Sequence, residues 1–133
     1  MKKLDCILLV DDDEDCNFFH SRLIKKMNCA ERVEISYDGQ SALELLKSQR
    51  DYSIDLILLD INMPVMDGWN FLDEYKQFDN LGKSHVVVMV SSSLNPDDRD
   101  KASSLGVVSD FATKYLNEQS MLKILNTHFK SVE

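Results

Sequence analysis

The amino-acid sequence predicts a doubly wound α/β fold built on one parallel β-sheet. Short apolar runs of strand length alternate along the chain with segments whose apolar residues recur at helical spacing, and this alternation is typical of βαβ units. Three of the apolar runs are continuous, as expected for strands that are covered on both faces. The chain has 133 residues, of which 44% are hydrophobic, so we expect one domain over residues 1–133 with one core.

Five strands and five helices are expected in alternation. The continuous runs at residues 7–10, 56–59 and 86–90 predict the first, third and fourth strands. Residues 33–37 alternate between apolar and polar positions and predict the second strand, and the mixed segment 107–113 predicts the fifth. The apolar residues that mark the first three helices and the last are Cys16, Phe19, Leu23 and Met27; Ala42, Leu43, Leu45 and Leu46; Phe71, Leu72, Tyr75 and Phe78; and Met121, Leu122, Leu125 and Phe129.

The apolar pattern of the strands also indicates their order in the sheet. Continuously apolar strands suit the interior of a sheet and alternating strands suit its edges, so the second and fifth strands are expected at the two edges. This pattern favours the strand order 2-1-3-4-5, which is the flavodoxin-like arrangement of five βα units. The fourth helix, near residues 96–105, has little besides Ala102 and Leu105 to bury, so we expect it to be held weakly.

Composition and charge argue against several classes of protein. The chain carries 23 acidic residues against 15 Lys and Arg residues, a formal charge of −8, whereas nucleic-acid binding needs clustered basic residues. No apolar run in the sequence approaches the roughly 20 residues that a membrane span needs. The three cysteines are odd in number and lack CxxC spacing, so we expect reduced, mostly buried thiols and a cytoplasmic protein.

Polar side chains gather where the predicted strands end. Asp11 and Asp12 follow the first strand, Asp60 the third, Ser91 the fourth and Lys114 the fifth. Ligands of open α/β sheets bind beyond the carboxyl ends of the strands, so we expect these side chains at one rim. Crowded carboxylates favour a divalent cation, and an all-oxygen set suits Mg²⁺. Because an aspartate can take a phosphoryl group as an acyl phosphate, with Lys114 and Ser91 holding its oxygens, the pattern fits a phosphorylatable aspartate.

Two segments carry a resemblance to a known family. Residues 7–13, ILLVDDD, and residues 55–68, DLILLDINMPVMDG, resemble the receiver domain of two-component response regulators, including the stand-alone CheY-like regulators. The second segment is a hydrophobic strand ending in Asp60 with Met-Pro-x-Met-Asp-Gly after it, which is the strongest signature of the family. The resemblance extends over nearly the whole chain, and all five expected functional positions are filled in order.

The resemblance implies a role for each residue at the acidic end of the rim. Asp60 would accept the phosphoryl group from a phosphohistidine. Asp12 would bind Mg²⁺ directly and Asp11 mainly through water, and the backbone carbonyl of Asn62 would be a further metal ligand.

On the other side of the rim, Ser91 resembles the family's Thr or Ser that hydrogen-bonds the phosphoryl group, and Lys114 resembles the lysine that pairs with it. Phe111 falls where the family has an aromatic residue that changes rotamer. The residue after the lysine is usually proline, often in a cis peptide bond, but here it is Tyr115. A cis bond before a non-proline residue costs roughly 3–4 kcal/mol, so we expect a trans bond and a differently shaped loop.

Other interpretations apply to parts of this pattern. Acidic residues are favoured at helix N-termini as caps, and we interpret Asp13 and the Asp67-Gly68 pair in that way. A small phosphatase of the haloacid dehalogenase type would use Asp11-x-Asp13 with Asp11 as the nucleophile, but it leaves the Asp60 signature unexplained. A degenerate receiver would bind partners without phosphate. Plain packing of an edge strand accounts for Phe111 as well as a switch role does.

The sequence thus predicts a single receiver domain that acts as a binding module without an output domain or turnover of an external substrate. The resemblance implies that a sensor histidine kinase or phosphotransfer protein donates the phosphoryl group. It also implies signalling to an output protein through the face of the fourth helix, fifth strand and fifth helix, as a monomer or a phosphorylation-dependent homodimer. No nucleic-acid or membrane partner is expected. His20, His85 and His128 lie on different elements without ligand spacing, so we interpret them as structural or surface residues.

Overall fold

Strands and helices alternate along the whole of the described chain. The structure is a computed structural model that describes residues 3–49, 51–61, 67–77, 86–92 and 96–129. Within these residues, no helix is long and apolar enough to cross a membrane. The elements are β1 (Leu4–Val10), α1 (Glu14–Met27), β2 (Ala30–Ser36), α2 (Gly39–Lys47), β3 (Leu56–Leu59), α3 (Gly68–Lys76), β4 (Val86–Ser91), α4 (Pro96–Leu105), β5 (Asp110–Thr113) and α5 (Glu118–His128).

The five strands form one parallel sheet in the order β2-β1-β3-β4-β5, which confirms the predicted flavodoxin-like arrangement. In the middle of the sheet, Leu58 of β3 pairs with Leu9 of β1 and with Val88 of β4. All four residues of β3 are buried, because helices cover the sheet on both faces. Helices α2, α3 and α4 pack on one face, and α1 and α5 pack on the other.

The predicted strand bounds are displaced in β1, which begins three residues earlier at Leu4, and in the two edge strands. Strand β2 begins at Ala30, where it pairs with Leu4 of β1, and it ends at Ser36, so Tyr37 lies outside it. Strand β5 begins at Asp110, because its pairing with β4 starts opposite Val88. Edge strands make hydrogen bonds on one side, and the apolar pattern alone cannot locate where that pairing begins and ends.

Four of the described helices, α1, α2, α3 and α5, begin at side-chain caps, and two of these caps were predicted. The Asp13 side chain accepts hydrogen bonds from the backbone amides of Asp15 and Cys16 at the start of α1. The Asp67 side chain accepts one from the amide of Asn70 at the start of α3. Each cap satisfies donors that have no partner inside the helix.

Helix α4 buries very little apolar surface, which confirms the prediction. Ala102 is its one buried residue. Two of its cations instead lie over aromatic rings of neighbouring elements: the Arg99 guanidinium is 5.1 Å from the ring centre of Phe111, and the Lys101 ammonium is 4.3 Å from that of Trp69. Such contacts contribute about 0.5–1 kcal/mol each at exposed sites, so α4 is held to the domain by modest forces.

The peptide bond between Lys114 and Tyr115 is cis, so the expectation of a trans bond is wrong. That expectation used only the intrinsic preference of an isolated bond. In the folded chain, the Lys114 amide donates to the Ser91 carbonyl at 3.0 Å, and the Leu116 amide donates to His20 Nε2 at 3.0 Å. These two hydrogen bonds lie on either side of the Lys114–Tyr115 peptide bond, and neither can be predicted from the local sequence.

The three cysteines, Cys6, Cys16 and Cys29, are buried and unpaired with one another, as predicted. His20 is buried and His128 bonds to Asp110 across 3.0 Å, which agrees with structural roles for both. His85 lies outside the described residues.

Candidate functional site

The sheet itself positions the two buried aspartates. The amide of Asp11 donates to the Ser36 carbonyl at 3.0 Å, and the amide of Asp60 donates to the Val10 carbonyl at 2.9 Å. These bonds extend the strand pairing one residue beyond β1 and β3. The backbone of each aspartate is therefore fixed at the end of the sheet. Asp11 is 6% exposed and Asp60 is 5% exposed.

Three carboxylates converge at this rim. Asp11, Asp12 and Asp60 each offer an oxygen, and these oxygens all lie within 4.8 Å of one another. Asp12 is exposed, whereas the other two are buried. The group is open to solvent on the Asp12 side and offers oxygen ligands alone. An oxygen-only set of two or three carboxylates fits Mg²⁺, which keeps several waters when it binds to proteins. Asn62, the fourth predicted ligand, lies outside the described residues.

The ammonium of Lys114 lies between the two buried carboxylates. Lys114 Nζ is 2.8 Å from Asp11 Oδ2 and 3.5 Å from Asp60 Oδ2. Burial by itself would lower the pKa of Lys114, but the hydrogen bond and charge of Asp11 and the charge of Asp60 outweigh it and raise that pKa. With the three carboxylates ionised, the four groups carry a net charge of −2, which a divalent cation would balance.

Ser91 and Phe111 lie on the neighbouring strands β4 and β5, on the other side of β3 from Asp11. Ser91 ends β4, is 2% exposed, and accepts the Lys114 amide on its carbonyl. Phe111 lies on β5 opposite Met89, half-buried beneath the Arg99 guanidinium. The structure therefore brings Asp11, Asp12, Asp60 and Lys114 into one cluster with Ser91 joined to it through the backbone. Phe111 lies two residues before the Ser91–Thr113 pair, against α4.

Gly68 has a role that the sequence reasoning missed. Its amide donates to the Ile61 carbonyl at 3.0 Å, and a Cβ at this position would lie 2.5 Å from Ile61 Cα and 2.8 Å from the Asp60 carbonyl oxygen. The start of α3 therefore packs directly on the backbone that carries Asp60, and only glycine leaves room. The sequence contains one sign of this role. A glycine directly follows the cap residue Asp67, although a capped helix does not need glycine at that position.

Two polar residues of α1 beneath the rim were also missed. The Asn17 side chain donates to the Asp11 carbonyl at 2.9 Å, and Cys16 Sγ lies 3.5 Å from His20 Nδ1. Burial, and after it the charge of Asp11, raises the pKa of the Cys16 thiol to about 12. Burial lowers the pKa of His20 to about 4. The signal was the spacing of Cys16 and His20, which are four residues apart and so share a helix face.

Comparisons with known proteins agree with this fold. The chain matches the model of the response regulator receiver domain over residues 7–126. It is 32% identical over 123 residues to the response regulator Rcp1 of Synechocystis sp., across 90% of this chain and 82% of that protein. It is 26% identical over 120 residues to the chemotaxis protein CheY of Halobacterium salinarum, across 90% of this chain and 92% of that one.

Other relatives are much longer than this chain. A probable cyclic di-GMP phosphodiesterase of Vibrio cholerae is 32% identical over 126 residues, but this chain spans 26% of its length. Among solved structures, a two-component response regulator from Cytophaga hutchinsonii has a TM-score of 0.89 at 29% identity, with 98% of this chain and 100% of that chain covered. The strand order, the rim and these matches agree: the chain belongs to the receiver domain family of two-component response regulators.

Proposed function

We propose that this receiver domain accepts a phosphoryl group on Asp60, with Mg²⁺ held by Asp11, Asp12 and Asp60. The single observation that carries the proposal is the ammonium of Lys114, whose side chain is 13% exposed, between two buried carboxylates from different strands. A buried ion pair is seldom needed for stability alone, because desolvation offsets most of its attraction. A cation fixed beside a carboxylate nucleophile is, however, what an incoming phosphoryl group requires.

In the proposed reaction, a carboxylate oxygen of Asp60 attacks the phosphorus of a phosphohistidine. A new O–P bond forms, the P–N bond breaks, and its electron pair stays on the imidazole nitrogen of the donor, which takes up a proton. Lys114 holds one phosphoryl oxygen, and the Ser91 hydroxyl donates to another. When bound, Mg²⁺ supplies positive charge to the phosphoryl oxygens. The donor is a sensor histidine kinase or a histidine phosphotransfer protein.

The contacts of Asp11 make its carboxylate a poor nucleophile. Asp11 Oδ1 accepts the Asp13 amide at 3.0 Å, and Asp11 Oδ2 accepts from Lys114 at 2.8 Å. Both oxygens of Asp11 are thus engaged by donors, which lowers their nucleophilicity. A phosphatase of the haloacid dehalogenase type would need Asp11 as the nucleophile, so we propose no turnover of an external substrate.

The proposed output is a change in the face formed by α4, β5 and α5. Ser91 would turn toward the phosphoryl group, and Phe111 would repack beneath α4. Because α4 is held by modest forces, a small change at Ser91 and Phe111 is sufficient to shift it. An output protein would bind the altered face, and a second phosphorylated copy would be a further partner. The three buried, reduced cysteines suit a cytoplasmic location.

Intact-mass measurement after incubation with acetyl phosphate and Mg²⁺ tests this function. Wild type and Asp73→Asn, a matched substitution at an exposed carboxylate of α3, are expected to gain a single phosphoryl adduct. Asp60→Asn is expected to gain none, and chelating the metal is expected to abolish the adduct. An equal adduct on Asp60→Asn would contradict the proposal, and no adduct on any folded variant would favour a degenerate receiver.

A further inference from the structure

A buried path of polar groups connects the acidic cluster to the backbone beyond Lys114. It begins at Asp11, continues through the thiol of Cys16 beside it and the imidazole of His20, and ends at the amide of Leu116. Cys16 and Leu116 are 0% exposed, and His20 is 4% exposed. The path therefore joins the first turns of α1 to the loop between β5 and α5 without solvent between them.

The donors along this path determine the tautomer of His20. The Leu116 amide can only donate, so Nε2, which lies 3.0 Å from it, must accept. Burial keeps the imidazole neutral at pH 7, since it lowers the pKa of His20 to about 4. The single ring hydrogen therefore lies on Nδ1, which faces the Cys16 sulfur at 3.5 Å. His20 acts as an acceptor toward the loop and as a donor toward α1.

We infer that His20 is a positioning residue for Lys114: by joining α1 to the Leu116 amide, it fixes the segment from which the ammonium reaches Asp11 and Asp60. This inference rests on the proposed phosphoryl transfer to Asp60. The Lys114 amide is held by Ser91 and the Leu116 amide by His20, so the segment is fixed on both sides of the lysine side chain. Asp11 is in turn joined to α1, because it accepts from Asp13 and Asn17.

Contacts between aromatic rings also connect α1 with the loop between β5 and α5. The ring of Tyr115 lies 5.7 Å from that of His20 and 5.3 Å from that of Phe19. An apolar side chain such as leucine in place of His20 would fill the volume and still pack against the Tyr115 ring, but it would leave the Leu116 amide buried without an acceptor. The hydrogen bond, and not the packing, is therefore the property that a test must isolate.

The tautomer can be measured on the wild-type protein without any phosphoryl group. Long-range ¹H–¹⁵N correlation of the His20 ring at pH 7 is expected to show the neutral Nδ1–H tautomer, with an Nε2 resonance typical of an acceptor. An Nε2–H tautomer, or an imidazolium at pH 7, would overturn the inference, because neither can accept the Leu116 amide.

Two substitutions at His20 then separate positioning from packing. His20→Gln keeps an acceptor for the Leu116 amide and a donor for Cys16, whereas His20→Leu keeps the volume alone; His128→Gln is the control at another histidine. Phosphoryl uptake from acetyl phosphate is measured at a temperature where each variant is fully folded. We expect His20→Leu to react at least about tenfold more slowly, since a displacement of about 1 Å at a reacting group can cost up to about a hundredfold. His20→Gln and His128→Gln should stay within about twofold of wild type, and Mg²⁺ affinity should be unchanged in all three.

A wild-type rate in folded His20→Leu would overturn the inference, and so would a His20→Gln variant as slow as His20→Leu. If His20→Leu does not fold, the inference is tested by the tautomer of His20 in the wild type and by the rate of phosphoryl uptake in His20→Gln. If wild type takes no phosphoryl group, the proposed function fails, and the tautomer measurement still decides whether His20 holds the loop.

Discussion

Replacing Gly68 by alanine is expected to disturb the site through the backbone of Asp60. A Cβ at position 68 would lie 2.5 Å from Ile61 Cα, 2.8 Å from Ile61 Cγ2 and 2.8 Å from the Asp60 carbonyl oxygen. Ordinary contacts of a Cβ begin at about 3.4 Å, so the start of α3 and the end of β3 would have to separate by about 1 Å. Two of the three contacts are backbone atoms, which cannot move aside by changing rotamer.

Three energies decide the size of the effect. Overpacking of a core site costs about 1–3 kcal/mol, and stretching the hydrogen bond from the Gly68 amide to the Ile61 carbonyl costs about 1 kcal/mol more. Against these, alanine is favoured over glycine in a helix by up to about 1 kcal/mol. The steric terms outweigh the helical preference, so we expect Gly68→Ala to lower the free energy of unfolding by about 2 kcal/mol.

Urea unfolding followed by the fluorescence of Trp69, the single tryptophan, measures this change. Gly106→Ala is the control, because Gly106 has a φ of 76° and nothing within 4 Å of its Cβ position. Its cost of about 1 kcal/mol would come from backbone conformation alone. Phosphoryl uptake should fall about tenfold in Gly68→Ala and stay unchanged in Gly106→Ala. A Gly68→Ala protein as stable and as reactive as wild type would refute the account of close packing at Asp60.

Three further predictions concern the ammonium, the buried histidine and α4. Lys114→Met should destabilise the metal-free protein by about 3–5 kcal/mol, because it leaves two buried carboxylates without their cation, and added Mg²⁺ should recover part of that loss. Equal urea midpoints for the variant and the wild type would contradict this. His20 has its pKa lowered from 6.5 to about 4 by burial, so the unfolded chain binds its proton first as the pH falls. The free energy of unfolding should therefore drop by about 3 kcal/mol between pH 6.5 and 4 relative to His20→Gln, and parallel pH profiles would speak against a buried neutral imidazole. Arg99→Gln and Lys101→Gln should each speed amide exchange across residues 96–105 severalfold, since each removes a cation–π contact worth about 0.5–1 kcal/mol; unchanged exchange would show that other contacts hold α4.

The parts of the fold that follow from strand burial could be predicted from the sequence. Runs such as residues 56–59 are continuously apolar because helices cover both faces of β3, and that property directly indicates a central position. The site followed from the same reasoning. Asp11, Asp60 and Lys114 each come directly after a strand, and parallel strands bring their carboxyl ends to one rim.

The parts that depend on contacts across the fold could not be predicted. The cis bond before Tyr115 is bracketed by hydrogen bonds to Ser91 and His20, and His20 is 96 residues away from its partner Leu116. Gly68 is required by the backbone of Ile61, which lies seven positions earlier in the chain. Local preferences describe isolated segments, and these features arise only when distant segments pack together.

In the proposed function, the metal and the lysine share the task of balancing the charge of the carboxylates at the rim. The Lys114 ammonium neutralises part of the charge of the buried carboxylates, while the exposed Asp12 leaves the other side accessible to an ion and to solvent. Substitutions on the two sides should therefore have separable effects. Loss of the ammonium changes stability without metal, whereas loss of the Asp12 carboxylate chiefly weakens Mg²⁺ binding.

Locating the phosphoryl group within the chain tests the central claim most directly. After reaction with acetyl phosphate and Mg²⁺, borohydride reduction converts an aspartyl phosphate to homoserine, and peptide mass analysis identifies the residue changed. The account predicts homoserine at position 60 alone, because the proposed nucleophile is Asp60, whose Oδ2 lies 3.5 Å from the Lys114 ammonium. Homoserine at position 11, or a stable adduct on a histidine, would contradict it.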